Sequence, residues 1–416
     1  MSDAAATEVE RQSRLLLHGV VDCEKREELA KRLAKSIASG KPLRVKLGLD
    51  PTSTDLHLGH AVVLRKLRQF QDLGHHAIFI VGGATAMLGD PSGRDKTRPQ
   101  LTKEQVDANA RTYLEQAFKV VRRDEANGAI EVVNNADWFL AKGFGDFIRL
   151  CSKMTVARMV ERDSFAKRMA AGTPVSIHEF IYPLLQGQDS VEVRADVELG
   201  GTDQLFNLLV GRDLQSDAGQ APQVCITTPL LPGLDGKQKM SKSLGNYVGL
   251  AFTADDMFGK VMSLPDALML QYAGLLTARF AAGDGAAEFE KMAAADPRAA
   301  KAALAEELTA SFHSKEAAAT ARQRFDRVFR DKDVEGEAPV VSIPAADAPT
   351  GKLWIAELLL KLGFVTTSSE AKQLIAGRGV KVDGEAVVDW KAEVDLTCGP
   401  LVRAGKRRFA RVVLGR

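Results

Sequence analysis

Apolar positions along this chain switch between two rhythms, and the order of the rhythms predicts a parallel sheet. Residues 15–39 carry apolar positions at helical spacing and read as an N-terminal amphipathic helix. Residues 43–49 read as a strand ending at Asp50-Pro51. Asp55 is placed to cap a helix running to Leu73, with Gly74 as its stop and Leu64, Leu67, Phe70 and Leu73 as its apolar stripe. Residues 77–81 form a second apolar strand, closed by Gly82-Gly83. A strand, helix and strand of these lengths make a βαβ unit, which implies parallel pairing and a right-handed crossover. Further short apolar strands at 131–133, 191–197 and 224–227, with helical stretches between them, predict a doubly wound, Rossmann-like α/β domain. Ligands of such domains sit at the carboxyl ends of the strands.

The rhythm then changes. Residues 255–332 are Ala-rich and helical with no strand pattern. Residues 334–351 contain Pro339, Pro344 and Pro349 and read as a linker. The last block predicts a helix over 353–362, stopped by Gly363, and a second helix opened by the capping-box spacing of Thr367 and Glu370. Residues 380–382 and 386–388 flank Asp383-Gly384-Glu385, a hairpin pattern. The expected divisions are 1–235, a nucleotide-binding catalytic domain; 236–333, a lysine-rich loop with an α-helical region; 334–351, a linker; and 352–416, a small α+β domain.

Composition narrows the class. A chain of 416 residues is too long for one ordinary core, and 45% hydrophobic with 26% charged residues is ordinary for a soluble protein. No apolar run is long enough to span a membrane, and residues 1–10 are polar and acidic, unlike a secretory signal. Cys23, Cys151, Cys225 and Cys398 form no C-x-x-C pair, which argues against a zinc knuckle or a disulfide framework and fits a reducing cytoplasm. The net charge of +2 hides a basic tail: Arg403, Lys406, Arg407, Arg408, Arg411 and Arg416, with no acid among them. Such an end suits a polyanion contact.

Two short strings carry the candidate chemistry. Gly48 ends the first strand, and His57-Leu58-Gly59-His60 opens the next helix. A helix start offers free N–H groups and a positive dipole end, so phosphates favour it. Gly59 leaves backbone bare for an adenine ring, and His57 and His60 can both donate to phosphate oxygens as charge builds. By itself, a histidine pair is more often ordinary structure or half a metal site. Lys239-Met240-Ser241-Lys242-Ser243 lies in a Gly-, Lys- and Ser-rich stretch, 233–245, that suits a mobile loop. Its two lysines can neutralise a departing pyrophosphate, whereas a lone K-x-x-K is usually a solvated loop. No G-x-x-x-x-G-K-[ST] occurs, so the chain is not a P-loop enzyme. The chemistry this pair suits is adenylate formation, which needs positioning and charge neutralisation more than a nucleophilic side chain.

In this order the two strings resemble the ATP-binding motifs of class I aminoacyl-tRNA synthetases. The residues between them narrow the family: 48–52 (GLDPT), 89–93 (GDPSG), 182–189 (YPLLQGQD) and 200–204 (GGTDQ) together resemble the bacterial tyrosyl-tRNA synthetases, and the final block resembles an S4-type RNA-binding domain. The resemblance implies a homodimer in the cytoplasm that takes ATP with Mg²⁺, L-tyrosine and tRNA(Tyr). His57, His60, Lys239 and Lys242 would serve the chemical step. Gly48, His57, Gly59, His60, Gly201, Asp203, Lys239 and Lys242 would hold ATP, with Asp203 near the ribose. Asp90, Tyr182 and Gln186 would hold the substrate ammonium, Asp189 would accept the phenolic proton, and Asp50 and Gln204 would lie near the reacting carboxylate. No protein-held metal is implied. Lys372, Arg378, Lys381, Lys406, Arg407 and Arg408 would follow RNA phosphates. Trp354 and Trp390 are read as core. The helical block resembles the anticodon-binding region, where Arg322, Arg327 and Arg330 read equally as a solvated face. Residues 154–180, apolar and basic, are the expected part of the subunit interface.

One position departs from the pattern. Much of that family has a tyrosine two places before the first-strand glycine, where this chain has Lys46. Lys46 is read either as a counter-charge to Asp189 or as a solvent-facing side chain. With the intact Lys-Met-Ser-Lys-Ser string, it points to the other bacterial branch of tyrosyl enzymes. The rival readings are a tryptophanyl enzyme of the same architecture, a tRNA-independent adenylyltransferase, and a non-catalytic RNA-binding protein on a synthetase scaffold.

Overall fold

The structure is a computed structural model that describes residues 3–92, 101–123, 130–280, 283–329, 338–405 and 408–415. Two compact units are present, Met1–Ala321 and Arg322–Arg416.

The first unit opens with α1 (Asp3–Leu17), β1 (Asp22–Glu24) and α2 (Arg26–Ser39). The single helix expected over 15–39 is therefore two. Gly19 turns the chain at φ 67°, and β1 pairs antiparallel with the strand at 224–228. There follow β2 (Arg44–Leu49), α3 (Leu58–Asp72), β3 (His76–Val81), α4 (Gly83–Leu88), α5 (Lys103–Ala117) and β4 (Ile130–Asn134). Short helices α6 (Ala136–Phe139), α7 (Phe144–Cys151), α8 (Val156–Val160) and α9 (Asp163–Ala170) precede α10 (Ile177–Glu192). Then come β5 (Val197–Gly201), α11 (Leu205–Asp217) and β6 (Val224–Thr228). The helical block is α12 (Ala254–Met262), α13 (Met269–Leu276), α14 (Gly283–Ala295), α15 (Pro297–Phe312) and the start of α16 (Lys315–Phe329), a helix that runs across the division at Ala321.

The sheet order is β1-β6-β5-β2-β3-β4, parallel except for β1. The chain winds from β2 outward through β3 and β4, then returns to the other side of β2 for β5 and β6. The βαβ reading of β2, α3 and β3 holds, and the reversal of order at β2 and β5 places a crevice at their carboxyl ends. Val45 and Leu47 of β2 and all of 77–81 in β3 are buried.

Two expected boundaries move. Residues 191–197 alternate like a strand, yet Val193 N–H bonds to Asp189 C=O and Ala195 N–H to Ser190 C=O, closing α10 with Arg194 at φ 49°. The strand starts only at Val197. The helix after β2 is capped by His57 and not by Asp55. Leu58 N–H bonds to Val248 C=O and Leu250 N–H to Leu56 C=O, so pairing with 248–250 holds residues 56–58 extended.

The second unit has β7 (Val340–Pro344), β8 (Lys352–Trp354), α17 (Ile355–Lys361), α18 (Ser368–Ala376), β9 (Val380–Val382), β10 (Glu385–Ala386), β11 (Glu393–Asp395), β12 (Leu401–Ala404) and β13 (Arg408–Gly415). The stretch expected as a linker contains β7, which pairs in parallel with β13 and buries Ile343. Thr367 caps α18 as expected, and β9 and β10 form the hairpin. Trp354 is 49% exposed, so it is not core; it starts α17 at the end of a two-stranded ladder with β11. Trp390 is half-buried against the core of this unit. Among the described residues no helix is long and apolar enough to cross a membrane.

Candidate active site

The carboxyl ends of β2 and β5 open into one cleft of about 1030 Å³. It brings together Gly48, Asp50, His57, Gly59, His60, Asp90, Tyr182, Gln186, Asp189, Gly201, Asp203, Gln204, Lys239 and Lys242. These are all the residues read from the sequence for nucleotide and amino acid, drawn from six separate stretches of chain.

One wall is made of a helix start and a loop. His57 Nδ1 accepts the Gly59 N–H at 3.2 Å, and the His57 N–H donates to His60 Nδ1 at 3.2 Å. Each ring thus uses Nδ1 as an acceptor, which leaves the proton of the neutral imidazole on Nε2. Burial, then the neighbouring His60, Lys242 and Lys239, holds the His57 imidazole far below the usual histidine range, so it acts as a neutral N–H donor. A Cβ at position 59 would lie 2.9 Å from the His57 ring and 3.7 Å from Met240. The need for glycine there comes from the His57 cap, ahead of any nucleotide base. Met240 is buried, and its N–H bonds to Leu231 C=O at 2.8 Å. Flanking it, Lys239 Nζ reaches Asp203 Oδ2 at 3.1 Å, while Lys242 Nζ donates to Ser53 Oγ and to the Asp55 carbonyl and lies 5.6 Å from the Tyr113 ring centroid. Asn246 ties the loop, accepting from Ser241 N–H at 2.8 Å and donating to Asp235 Oδ2 at 2.8 Å.

The other wall is a buried polar network. Asp50 accepts from Thr85 Oγ1 at 2.7 Å and from the Tyr182 hydroxyl at 2.9 Å. Asp90 caps its own turn by accepting Ser92 N–H at 2.8 Å, and its other oxygen accepts from Gln204 Nε2 at 3.0 Å. Asn207 Nδ2 bridges to Gln186 Oε1 at 2.9 Å and Gln204 Oε1 at 3.0 Å. Arg162, buried with its guanidinium 4.9 Å from the Phe165 ring centroid, donates to Ser92 Oγ and braces the Asp90 turn from behind. At the inner end, Asp189 accepts from Trp138 Nε1 at 3.0 Å and Asn135 Nδ2 at 3.2 Å. Burial pushes its carboxyl up to about 7, against the pull of Lys46 and these two donors.

Lys46 does not face solvent. It is fully buried on the central strand, with Nζ 2.8 Å from Glu198 Oε1. Residues Asn135, Trp138, Glu198 and Asn207 were not singled out in the sequence. Asn207 sits three residues after Gln204, and a helical reading of 204–207 would have found it. Trp138 and Glu198 lie inside ordinary apolar stretches that carry no such pattern.

In the second unit, Lys372, Arg378, Lys381 and Arg408 are all exposed. Lys372 Nζ stands 4.0 Å and Lys391 Nζ 5.0 Å from the Trp390 ring centroid, and Arg408 reaches Glu370 at 3.7 Å. Lys406, Arg407 and Arg330 lie outside the described residues.

Comparison with known proteins gives matches along most of the chain. Residues 38–330 match the model of tRNA synthetases class I (W and Y), and residues 353–391 match the S4 domain. A tyrosine–tRNA ligase of Moorella thermoacetica is 49% identical over 407 residues, covering 97% of this chain and 96% of that protein. One from Burkholderia mallei is 51% identical over 391 residues, 93% of this chain and 91% of that protein. Among solved structures, a C-terminally truncated Aspergillus nidulans mitochondrial tyrosyl-tRNA synthetase has a TM-score of 0.64 at 21% identity, over 79% of this chain and 100% of that one. That likeness concerns the fold.

Proposed function

We infer the function from the premise that this chain belongs to the class I tRNA synthetases of the W and Y family, with an S4 domain near its end. It is a tyrosine–tRNA ligase: it activates L-tyrosine with ATP and transfers it to tRNA. In the first step a carboxylate oxygen of tyrosine attacks the α-phosphorus, the bond to the bridging oxygen breaks, and pyrophosphate leaves. In the second, a hydroxyl of the terminal ribose attacks the acyl carbon and AMP leaves.

The observation that carries the choice of amino acid is Asp189. Asn135 and Trp138 donate to its two oxygens and Lys46 stands near, so the ionised carboxylate is oriented to accept a phenolic O–H. Phenylalanine would leave that buried acceptor without a partner, which makes rejection large. Asp90, with Gln186 and Tyr182, is suited to an ammonium group. Asp50 and Gln204, bonded to Tyr182 and Asp90 respectively, are assigned to the reacting carboxylate. The neutral histidines offer Nε2–H groups to phosphate oxygens, and Lys239 and Lys242 exchange their present partners for the departing pyrophosphate. Such help grows as charge grows, so it favours the transition state over bound ATP.

Among the described residues no group of three His, Cys, Asp or Glu side chains stands close enough to hold a metal. Mg²⁺ enters this reading as part of the nucleotide, carried by its phosphates. A homodimer in the cytoplasm completes the reading. It is supported by the exposed apolar side chains Val156, Met169 and Ile177 within the basic stretch 154–180. The S4-like unit, with exposed Lys372, Arg378, Lys381 and Arg408, supplies the grip on RNA phosphates.

The test is amino-acid-dependent pyrophosphate exchange with tyrosine, tryptophan and phenylalanine, followed by tRNA charging. Exchange with tyrosine alone is expected. Exchange with tryptophan and not tyrosine would overturn the substrate.

A further inference from the structure

A lysine that is 0% exposed beside a glutamate that is 1% exposed is costly to bury, and neither lines the cleft. What the pair touches explains its place. Lys46 Nζ spends its three donors on Glu198 Oε1 (2.8 Å), the Gln186 carbonyl (2.7 Å) and Ser190 Oγ (2.7 Å). Glu198 accepts from Gln186 Nε2 at 3.2 Å, from Ser190 Oγ at 3.0 Å and from Gln223 Nε2. Gln186, Asp189 and Ser190 follow the i, i+3, i+4 spacing that puts side chains on one face of α10. The pair thus holds the helix face that carries two of the residues assigned to tyrosine. Replacing a buried ion pair by well-packed apolar residues is often neutral or stabilising, so stability alone gives little reason to keep it. An apolar pair could not bond to Gln186 or present a charge to Asp189.

We propose that the Lys46–Glu198 pair is the positioning element of the tyrosine pocket: it clamps the Gln186–Asp189–Ser190 face of α10 and stations a positive charge behind Asp189. The charged groups acting on Asp189 are Lys46 from β2 and Glu198 from β5, of opposite effect, with Lys46 the stronger. The turn before α6 and α6 itself bond to Asp189 through the uncharged Asn135 and Trp138, while Asp137 of α6 is exposed to solvent, and the titratable Asp50 and Tyr182 in the same cleft are bonded to each other.

This rests on the tyrosine reading, and the experiment separates the two. Two full-length variants, Glu198→Gln and Lys46→Met/Glu198→Gln, are assayed by pyrophosphate exchange from pH 5.5 to 9, reading KM for tyrosine and for ATP separately. In the parent protein KM for tyrosine rises as pH falls through about 7, where Asp189 takes up its proton. Glu198→Gln removes only the negative charge, so this limb moves to lower pH. The double variant removes the stronger positive charge as well, so the limb moves to higher pH, by about one pH unit. Above the limb, KM for tyrosine in the double variant rises about 10- to 100-fold through loss of positioning, while KM for ATP holds. A merely structural pair cannot give limb shifts of opposite sign. Shifts in one direction, no shift, a parallel rise in both KM values, or failure of either variant to fold would overturn the pair's role. A parent protein inactive with tyrosine would overturn the substrate reading itself.

Discussion

Lys239 and Lys46 each pair with one carboxylate at nearly the same distance, 3.1 Å to Asp203 and 2.8 Å to Glu198. The side chains of the first pair keep 38% and 19% of their surface in solvent; those of the second keep 0% and 1%. The difference follows from the work of the two walls. On the nucleotide wall, charge must appear on the phosphates and depart with pyrophosphate, so the cations need weak resting partners that they can leave. On the tyrosine wall, one neutral hydroxyl must be told from a hydrogen atom. That needs an acceptor whose position and charge do not relax, and the donors Asn135 and Trp138 bond to both of its oxygens.

The largest effect expected from this contrast is at the acceptor. Asp189→Ala should lower kcat/KM for tyrosine by about 10³-fold or more while ATP binding is retained, measured by exchange and by ATP titration. It should also shrink the preference over phenylalanine. A variant that loses activity yet keeps its full preference would place the discrimination elsewhere in the cleft.

Next is the buried pair. Lys46→Ala leaves Glu198 charged and without its counter-ion in the core, and should destabilise folding by about 3–5 kcal/mol in denaturant unfolding. A loss below about 1 kcal/mol, the range of exposed pairs, would erase the distinction between the walls.

Lys242→Ala follows. It should slow adenylate formation by about 10²–10³-fold, the usual cost of losing one preorganised donor to transition-state charge. Tyrosine affinity, read by equilibrium binding, should stay within about twofold, because the lysine acts on the departing group only. Equal losses in both would make the loop a structural strut.

The contrast also explains which parts of the molecule were legible in the sequence. The nucleotide wall is local. A strand end, a helix cap and a five-residue loop each announce themselves in a short string, and glycine and lysine are informative because their positions depend on backbone and charge. Its error was local too: Asp55 was an apt cap by type, but pairing of 56–58 with 248–250 delayed the helix to His57. The tyrosine wall is assembled from β2, α6, α10, β5 and α11. Lys46 looked anomalous because its partner Glu198 lies far along the chain on a neighbouring strand. Trp138 carries no signal in the sequence, although its Nε1–H donates to Asp189. Alternation misled at 191–197 because a helix end and its left-handed stop at Arg194 place apolar residues as a strand would.

A smaller effect separates the walls by pH. Asp189 is raised to about 7 in the folded protein from an unfolded carboxyl near 4, so between those values the folded state binds more protons than the unfolded one. Its contribution to stability therefore falls as pH rises from about 4 to 7, and is level above that. The melting temperature of Asp189→Asn relative to the parent protein should climb across this window and then flatten. A difference that does not vary with pH would mean that Asp189 is not held protonated near neutrality without tyrosine.

The smallest effect belongs to the pair from which the comparison started. A double-mutant cycle on Lys239→Ala and Asp203→Asn, read by unfolding without ligand, should give a coupling of about 0.2–1 kcal/mol, diminished by added salt. The pair is partly exposed, so water already solvates much of both charges and little is lost when one partner goes. That weakness suits the function: a lysine bound strongly to Asp203 would have to give up that energy before meeting a phosphate, and the cost would be added to the barrier it is there to lower. A coupling several times larger would mean that Lys239 is fixed at rest, and that the nucleotide wall follows the same construction as the tyrosine wall.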